Sequence, residues 1–144
     1  MTVSFGNYSI KIKSIDHIQK VYDIVRNKWI VLTPEEQVRQ IWLHYLVHDC
    51  NIPPTRIAVE KLFKVNTKNK RFDICVFDQN ANPLLLIECK QPNIKLVQPA
   101  LDQLAIYNTQ LLATRFVASN GISHIGIISK NDQLFQVNHF EDLL

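Results

Sequence analysis

A chain of 144 residues, 47% hydrophobic and 20% charged, has the make-up of an ordinary globular protein and the length to bury its own core, so a single domain over residues 1–144 is expected. Its net charge of +3 permits an anionic partner without requiring one. Three glycines, no GxxxxGK or GxGxxG loop, no CxxC pair, no apolar run of transmembrane length and no signal-peptide core in MTVSFGNYSIKIKS argue against nucleotide-driven motors, zinc sites, disulfide scaffolds and membrane spans, and lead to a cytoplasmic expectation.

Residues 14–28, SIDHIQKVYDIVRNK, carry apolar side chains at 15, 18, 21, 22, 24 and 25, which predicts a helix or helical turn opened by Ser14. In WIVLTPEE, Thr33 can cap a helix, Pro34 fits its first position and Glu36 completes a T-x-x-E box. That helix is expected to run to about His48 on a stripe of Val38, Ile41, Trp42, Tyr45 and Leu46, and NIPP at 51–54 ends it. Arg39 and Gln40 read as surface or helix-supporting residues, with Arg39 facing substrate as the alternative. His44 and His48 lack the glutamate of an HExxH zinc helix.

Strand patterns follow in RIAVEKLF (56–63), FDICVFD (72–78) and PLLLIECK (83–90), the last two joined into a hairpin by QNAN. Cys75 and Cys89 lie within these runs as small hydrophobes. VQPALDQLAIYNTQLL (97–112) predicts a second amphipathic helix. RFVAS (115–119), a turn at Asn120–Gly121, HIGIIS (124–129) and LFQV (134–137) complete the chain. The order α-β-β-β-α-β-β gives an α/β domain, a mixed central sheet flanked by helices.

The chemistry gathers around LLLIECK. Strand alternation projects Glu88 and Lys90 to one face, and burying two charges is costly unless they are paired, metal-bound or open to a cleft. Asp73 begins the neighbouring strand, so the hairpin can set its carboxylate beside Glu88. Two such carboxylates suit Mg²⁺, with water and substrate phosphate completing the octahedron. The metal would acidify a water and polarise a phosphoryl oxygen, and Lys90 would orient that water or offset developing charge. A third acid comes from the helix start, where helical spacing turns Glu35 toward the stripe of Val38, Trp42 and Tyr45 and leaves Glu36 to the side. Alternatively, both acids simply sit at the positive end of the helix dipole. Gln103 and Tyr107 share a face of the second helix, within reach of Lys90 or a phosphate. Lys64, Lys68, Lys70 and Arg71 in KVNTKNKR read either as a solvated turn or as contacts to a nucleic-acid backbone. Glu60 reads as an exposed strand carboxylate or, alternatively, as an acid behind the site that supports it.

The ordered set Glu35, Asp73, Glu88-x-Lys90 and Gln103-x-x-x-Tyr107 resembles the PD-(D/E)XK nuclease superfamily. More narrowly, VYDIVRNKWIVLTPEEQVRQ, KRFDICVFD, LLLIECKQP, QLAIYN and SNG resemble the N-terminal nuclease domain of type I restriction enzyme R (HsdR) subunits over roughly residues 20–125. The resemblance implies a restriction-endonuclease-like α-β-β-β-α-β core over about residues 30–130 and cleavage of DNA phosphodiester bonds with Mg²⁺, for which Mn²⁺ can substitute. It implies Asp73, Glu88 and Glu35 as metal ligands and Lys90 as the catalytic lysine, with Gln103 positioning lysine or phosphate. Two departures stand out: Phe72 replaces the proline of the family name, and the translocating motor of a full R subunit is missing from these residues. Expected partners are therefore DNA and a motor or specificity subunit, with a homodimer where one site must cut both strands. The competing expectation is a non-cleaving nucleic-acid-binding or assembly module on the same fold.

Overall fold

Residues 12–31 form three strands rather than the expected helix. β1 (Ile12–Ile15), β2 (Ile18–Asp23) and β3 (Lys28–Val31) make an antiparallel sheet in the order β1-β2-β3. The reason is local turn chemistry. Asp16 and His17 both have positive φ, 50° and 63°, as a two-residue hairpin loop between Ile15 and Ile18 requires. At the second turn the buried Asp23 accepts the N–H groups of Val25 at 2.9 Å and Arg26 at 2.5 Å through Oδ1, a side-chain turn that competes directly with a helix. The apolar spacing at 15, 18, 21 and 22 fits a helical stripe, but these two turns decide the outcome.

In this computed structural model the described residues are 1–65, 68–96, 113–131 and 133–144, with backbone alone for 63–65 and 68–70. The expected helix at 97–112, with Gln103 and Tyr107, lies outside them, as do the side chains of Lys64, Lys68 and Lys70.

α1 (Pro34–His44) begins as its sequence predicts: Thr33 Oγ1 accepts the Glu36 N–H at 3.1 Å, with Pro34 in the first turn. Such a cap contributes about 1 kcal/mol. The helix passes at Tyr45–Asp49 into one wider π turn, where the Cys50 N–H reaches Tyr45 O at 3.0 Å. Asn51, with φ 54°, and the prolines at 53 and 54 prevent further helix.

Among the described residues the main sheet has six strands in chain sequence: β4 (Ile57–Val65), β5 (Lys68–Phe77), β6 (Pro83–Cys89), β7 (Arg115–Ser119), β8 (His124–Lys130) and β9 (Gln133–Val137). β6 and β7 are parallel and every other pair is antiparallel, so the sheet is mixed and the architecture α/β, as expected. α1 covers one face: Val38, Trp42, Leu43 and Leu46 pack with Ile74, Val76, Leu85, Ile87 and Val117, all within 1% of complete burial. At about 1.5–3 kcal/mol per buried large apolar side chain, this face dominates the stabilisation. Cys75, Leu86, Phe116 and Ala118 form a second buried cluster. No helix among the described residues is long and apolar enough to cross a membrane.

Candidate acid–lysine site

The β5–β6 ladder ends at Ile74↔Ile87, and continuing that register sets Asp73 opposite Glu88. Past this point the strands part, which leaves the N–H of Cys89 without a ladder partner. Asp73 Oδ2 accepts it at 2.7 Å. β4 is interrupted at the same level. Its pairs with β5 run through Val59↔Ile74 and resume at Lys61↔Phe72, omitting Glu60, whose φ is 52°. A side chain other than glycine in that region is uncommon and strained. The site therefore sits where two strand pairings yield together.

Lys90 leaves the end of β6, held by its own N–H to Ser119 O at 2.8 Å. Its Nζ donates to Glu88 Oε1 at 2.6 Å. The Glu88 carboxyl is raised above its usual range first by burial and then by the charge of Asp73, with Lys90 opposing. Burial lowers the Lys90 ammonium, but the Glu88 hydrogen bond and charge outweigh it, and the net shift is upward. Lys90 is thus a charged donor, one-third exposed, and not a neutral base.

The helix acids are arranged the other way from the helical-wheel expectation. Glu36 is buried and Glu35 has a side chain 47% exposed. The inward stripe of α1 is broader than its apolar residues suggest: Glu36, Arg39, Gln40 and Leu43 are all buried, alongside Val38 and Trp42. Glu36 Oε1 accepts from Arg26 Nη2 at 3.1 Å and Gln40 Nε2 at 2.8 Å, and Oε2 accepts from Arg39 Nη1. Its carboxylate therefore does not close the capping box. Glu35 stands at the rim, 3.4 Å from Arg39 Nη2, and its charge raises both Glu88 and Lys90.

Two arginines organise these acids. Arg39, read as a surface or helix-supporting residue, is 5% exposed, which leaves the supporting role. It binds Asp73 Oδ1 at 2.6 Å in addition to Glu36 and Glu35. Burial lowers its guanidinium pKa, but Asp73 and Glu36 more than reverse this. Arg26, from the turn between β2 and β3, binds Asp23 Oδ2 at 2.8 Å, Glu60 Oε2 at 2.5 Å and Glu36. Gln40 Nε2 also reaches Asp23 Oδ2 at 2.8 Å. Glu60 is accordingly a partner in this network and not an exposed strand acid, and Arg71, 64% exposed, lies 3.6 Å from it. The spacing Glu36-x-x-Arg39-Gln40, one helical turn of mutually bonding side chains, is the signal that would have revealed Arg39 and Gln40. Arg26 and Asp23 were obscured by reading their hairpin as helix.

Asp73 and Glu88 offer hard carboxylate oxygens, the donor type Mg²⁺ takes, and burial first, then the Asp73 charge, holds Glu88 against ionisation. Mg²⁺ commonly takes only one or two protein carboxylates, and among the described residues no group of three or more His, Cys, Asp or Glu is arranged to hold a metal. The His44 and His48 rings lie 5.3 Å apart, tilted by 41°, and belong to no group of three or more such ligands among the described residues. The thiols are poor nucleophiles: burial pushes Cys50 to about 11 and Cys75 to about 12, and Cys89 well upward.

No curated protein matches the chain. A family model does, over residues 34–142, so that α1, all six strands of the main sheet and the acid–lysine site lie inside the match, while the β1–β3 sheet precedes it. The chain belongs to the family described as type I restriction enzyme R protein N terminus (HSDR_N).

Proposed function

We propose that this chain is a Mg²⁺-dependent endonuclease that hydrolyses DNA phosphodiester bonds on a restriction-endonuclease-like core. The observation that carries the reading is Asp73 opposite Glu88 across the end of the β5–β6 ladder, with the Lys90 ammonium 2.6 Å from Glu88, within a member of the restriction R-protein family.

Asp73 and Glu88 would hold the metal, with Glu35 binding it or one of its waters. The metal supplies an acidified water and polarisation of a phosphoryl oxygen. Lys90, charged and partly exposed, places its ammonium where negative charge accumulates on the attacked phosphate. Arg39 and the Cys89 N–H fix both oxygens of Asp73, so the carboxylate is oriented before any ligand arrives. Gln103 and Tyr107 are assigned to positioning of lysine or phosphate, and Lys64, Lys68, Lys70 and Arg71 to the DNA backbone. Calorimetric titration of Mg²⁺ into the wild type and Asp73→Asn tests the site. Binding in the first and none in the second is expected; equal binding would refute it.

A second reading is favoured by one contact. The Arg39 guanidinium occupies Asp73 Oδ1, so the acid is already neutralised within the fold. A module that binds DNA or a motor subunit without cutting would be built this way. Such a protein would bind DNA in Mg²⁺ and leave it intact.

A further inference from the structure

The face of the β1–β3 sheet turned away from α1 carries a separate set of groups. The inner face is identified by Val21 and Asp23, both 0% exposed. Cross-strand pairing places Lys13, Lys20 and Val31 together on the outer face, with Tyr22 beside Trp29 and Ile15 beside Ile18. Lys11 joins them, its Nζ 5.8 Å from the Tyr22 ring centre. Lys13 Nζ lies 4.0 Å from the centre of Trp29, and the two rings are 5.4 Å apart.

Two features of this face are costly for a surface with no partner. Lys13 and Lys20 are direct cross-strand neighbours, and like charges so placed destabilise a sheet. Among the described residues neither lysine forms a salt bridge. Ile15 and Ile18, at the hairpin end of the face, and Val31 are also 39–52% exposed. Lysines alternating with stackable rings and apolar edges are what a single nucleic-acid strand requires: phosphates meet the ammonium groups and bases meet the rings.

We propose that this outer face binds a single-stranded stretch of nucleic acid, with Lys11, Lys13 and Lys20 on phosphates and Trp29 and Tyr22 against bases. The inference rests on the reading of the chain as acting on DNA and adds the form of the substrate. Arg26, in the turn that follows β2, ties the same sheet to Glu36 and Glu60, so a strand held here is tethered to the acid site.

The chain has two tryptophans, and Trp42 is 0% exposed, so quenching by an added strand reports Trp29. The test is titration of a mixed-sequence single-stranded oligonucleotide into the full chain in EDTA, where cleavage plays no part. Quenching is expected in the wild type and in Asp73→Ala, and its loss in Trp29→Phe. The triple variant Lys11→Glu, Lys13→Glu, Lys20→Glu should bind at least tenfold more weakly, with a salt slope shallower by about 2, as three lost phosphate contacts imply. Retained near-ultraviolet dichroism from buried Trp42 certifies its fold. Unchanged affinity in the triple variant, tight duplex binding without quenching, or equal affinity for a polyaspartate peptide would each overturn the proposal. Since no arm depends on metal or cleavage, failure here is separable from failure of the nuclease reading.

Discussion

Arg39 on α1 and Asp73 on β5 are joined at 2.6 Å, which makes the helix a structural part of the acid site. Arg39→Ala would take the shared cation from the buried Glu36 and from Asp73, whose side chain is 13% exposed, a loss of about 3 kcal/mol, the lower end for a broken buried pair because Arg26 and the Cys89 N–H remain. Urea unfolding is expected to show it, with Arg39→Lys recovering only part, because one ammonium cannot reach three carboxylates with the geometry of a guanidinium. A loss below 1 kcal/mol would mean that the pair contributes little to the fold.

Arg26→Ala should act on a different element. It removes the cation shared by Asp23, Glu36 and Glu60, and Asp23 is fully buried. The expected result is faster amide exchange in β2 and β3 than in β6 and β7, because the three-stranded sheet loses its tie to α1. Uniform acceleration across both sheets would contradict this assignment.

Glu88 carries a prediction on pH. Its folded pKa is raised by burial and by Asp73, so its ionisation reduces stability as pH climbs from the unfolded value through the raised folded one. A divalent cation bound there should move the Glu88 midpoint down, and its affinity should weaken as pH falls through that midpoint. Side-chain carboxyl NMR with and without Mg²⁺ measures both. A midpoint indifferent to Mg²⁺ would place the metal elsewhere.

His124 gives an independent pH test. Burial, and then the Met1 ammonium, lower it from 6.5 to about 4. A histidine depressed on folding costs stability when protonated, so its contribution is complete above pH 6.5 and is lost as pH falls toward 4. The loss is roughly 3 kcal/mol at most, at about 1.4 kcal/mol per pH unit. Chemical unfolding at successive pH values should show this slope, flattened in His124→Gln.

The main sheet was legible because its strands are β-branched or apolar runs separated by strong turn residues, and the α1 start because Thr33-Pro34 is a local capping signal. The β1–β3 sheet was not: its first loop is Asp16-His17, without the glycine that usually marks a tight hairpin, and its apolar spacing also satisfies a helix. Glu88 and Lys90 could be paired from strand alternation alone. Glu35 and Glu36 could not be told apart correctly, because a wheel weighted by apolar residues misses a stripe that buries Glu36, Arg39 and Gln40 as a bonded group. Arg26 was beyond reach, since its three partners come from β2, α1 and β4.

The most direct test of the nuclease assignment is nicking of supercoiled DNA by the wild-type chain and by Lys90→Ala, at matched folded concentration, with Mg²⁺ or Mn²⁺ and with EDTA. The account predicts metal-dependent nicking by the wild type and a loss of at least 100-fold in Lys90→Ala, on the order expected for one lost charge-stabilising donor. DNA left intact by the wild type in either metal, or cut equally by Lys90→Ala, would contradict it.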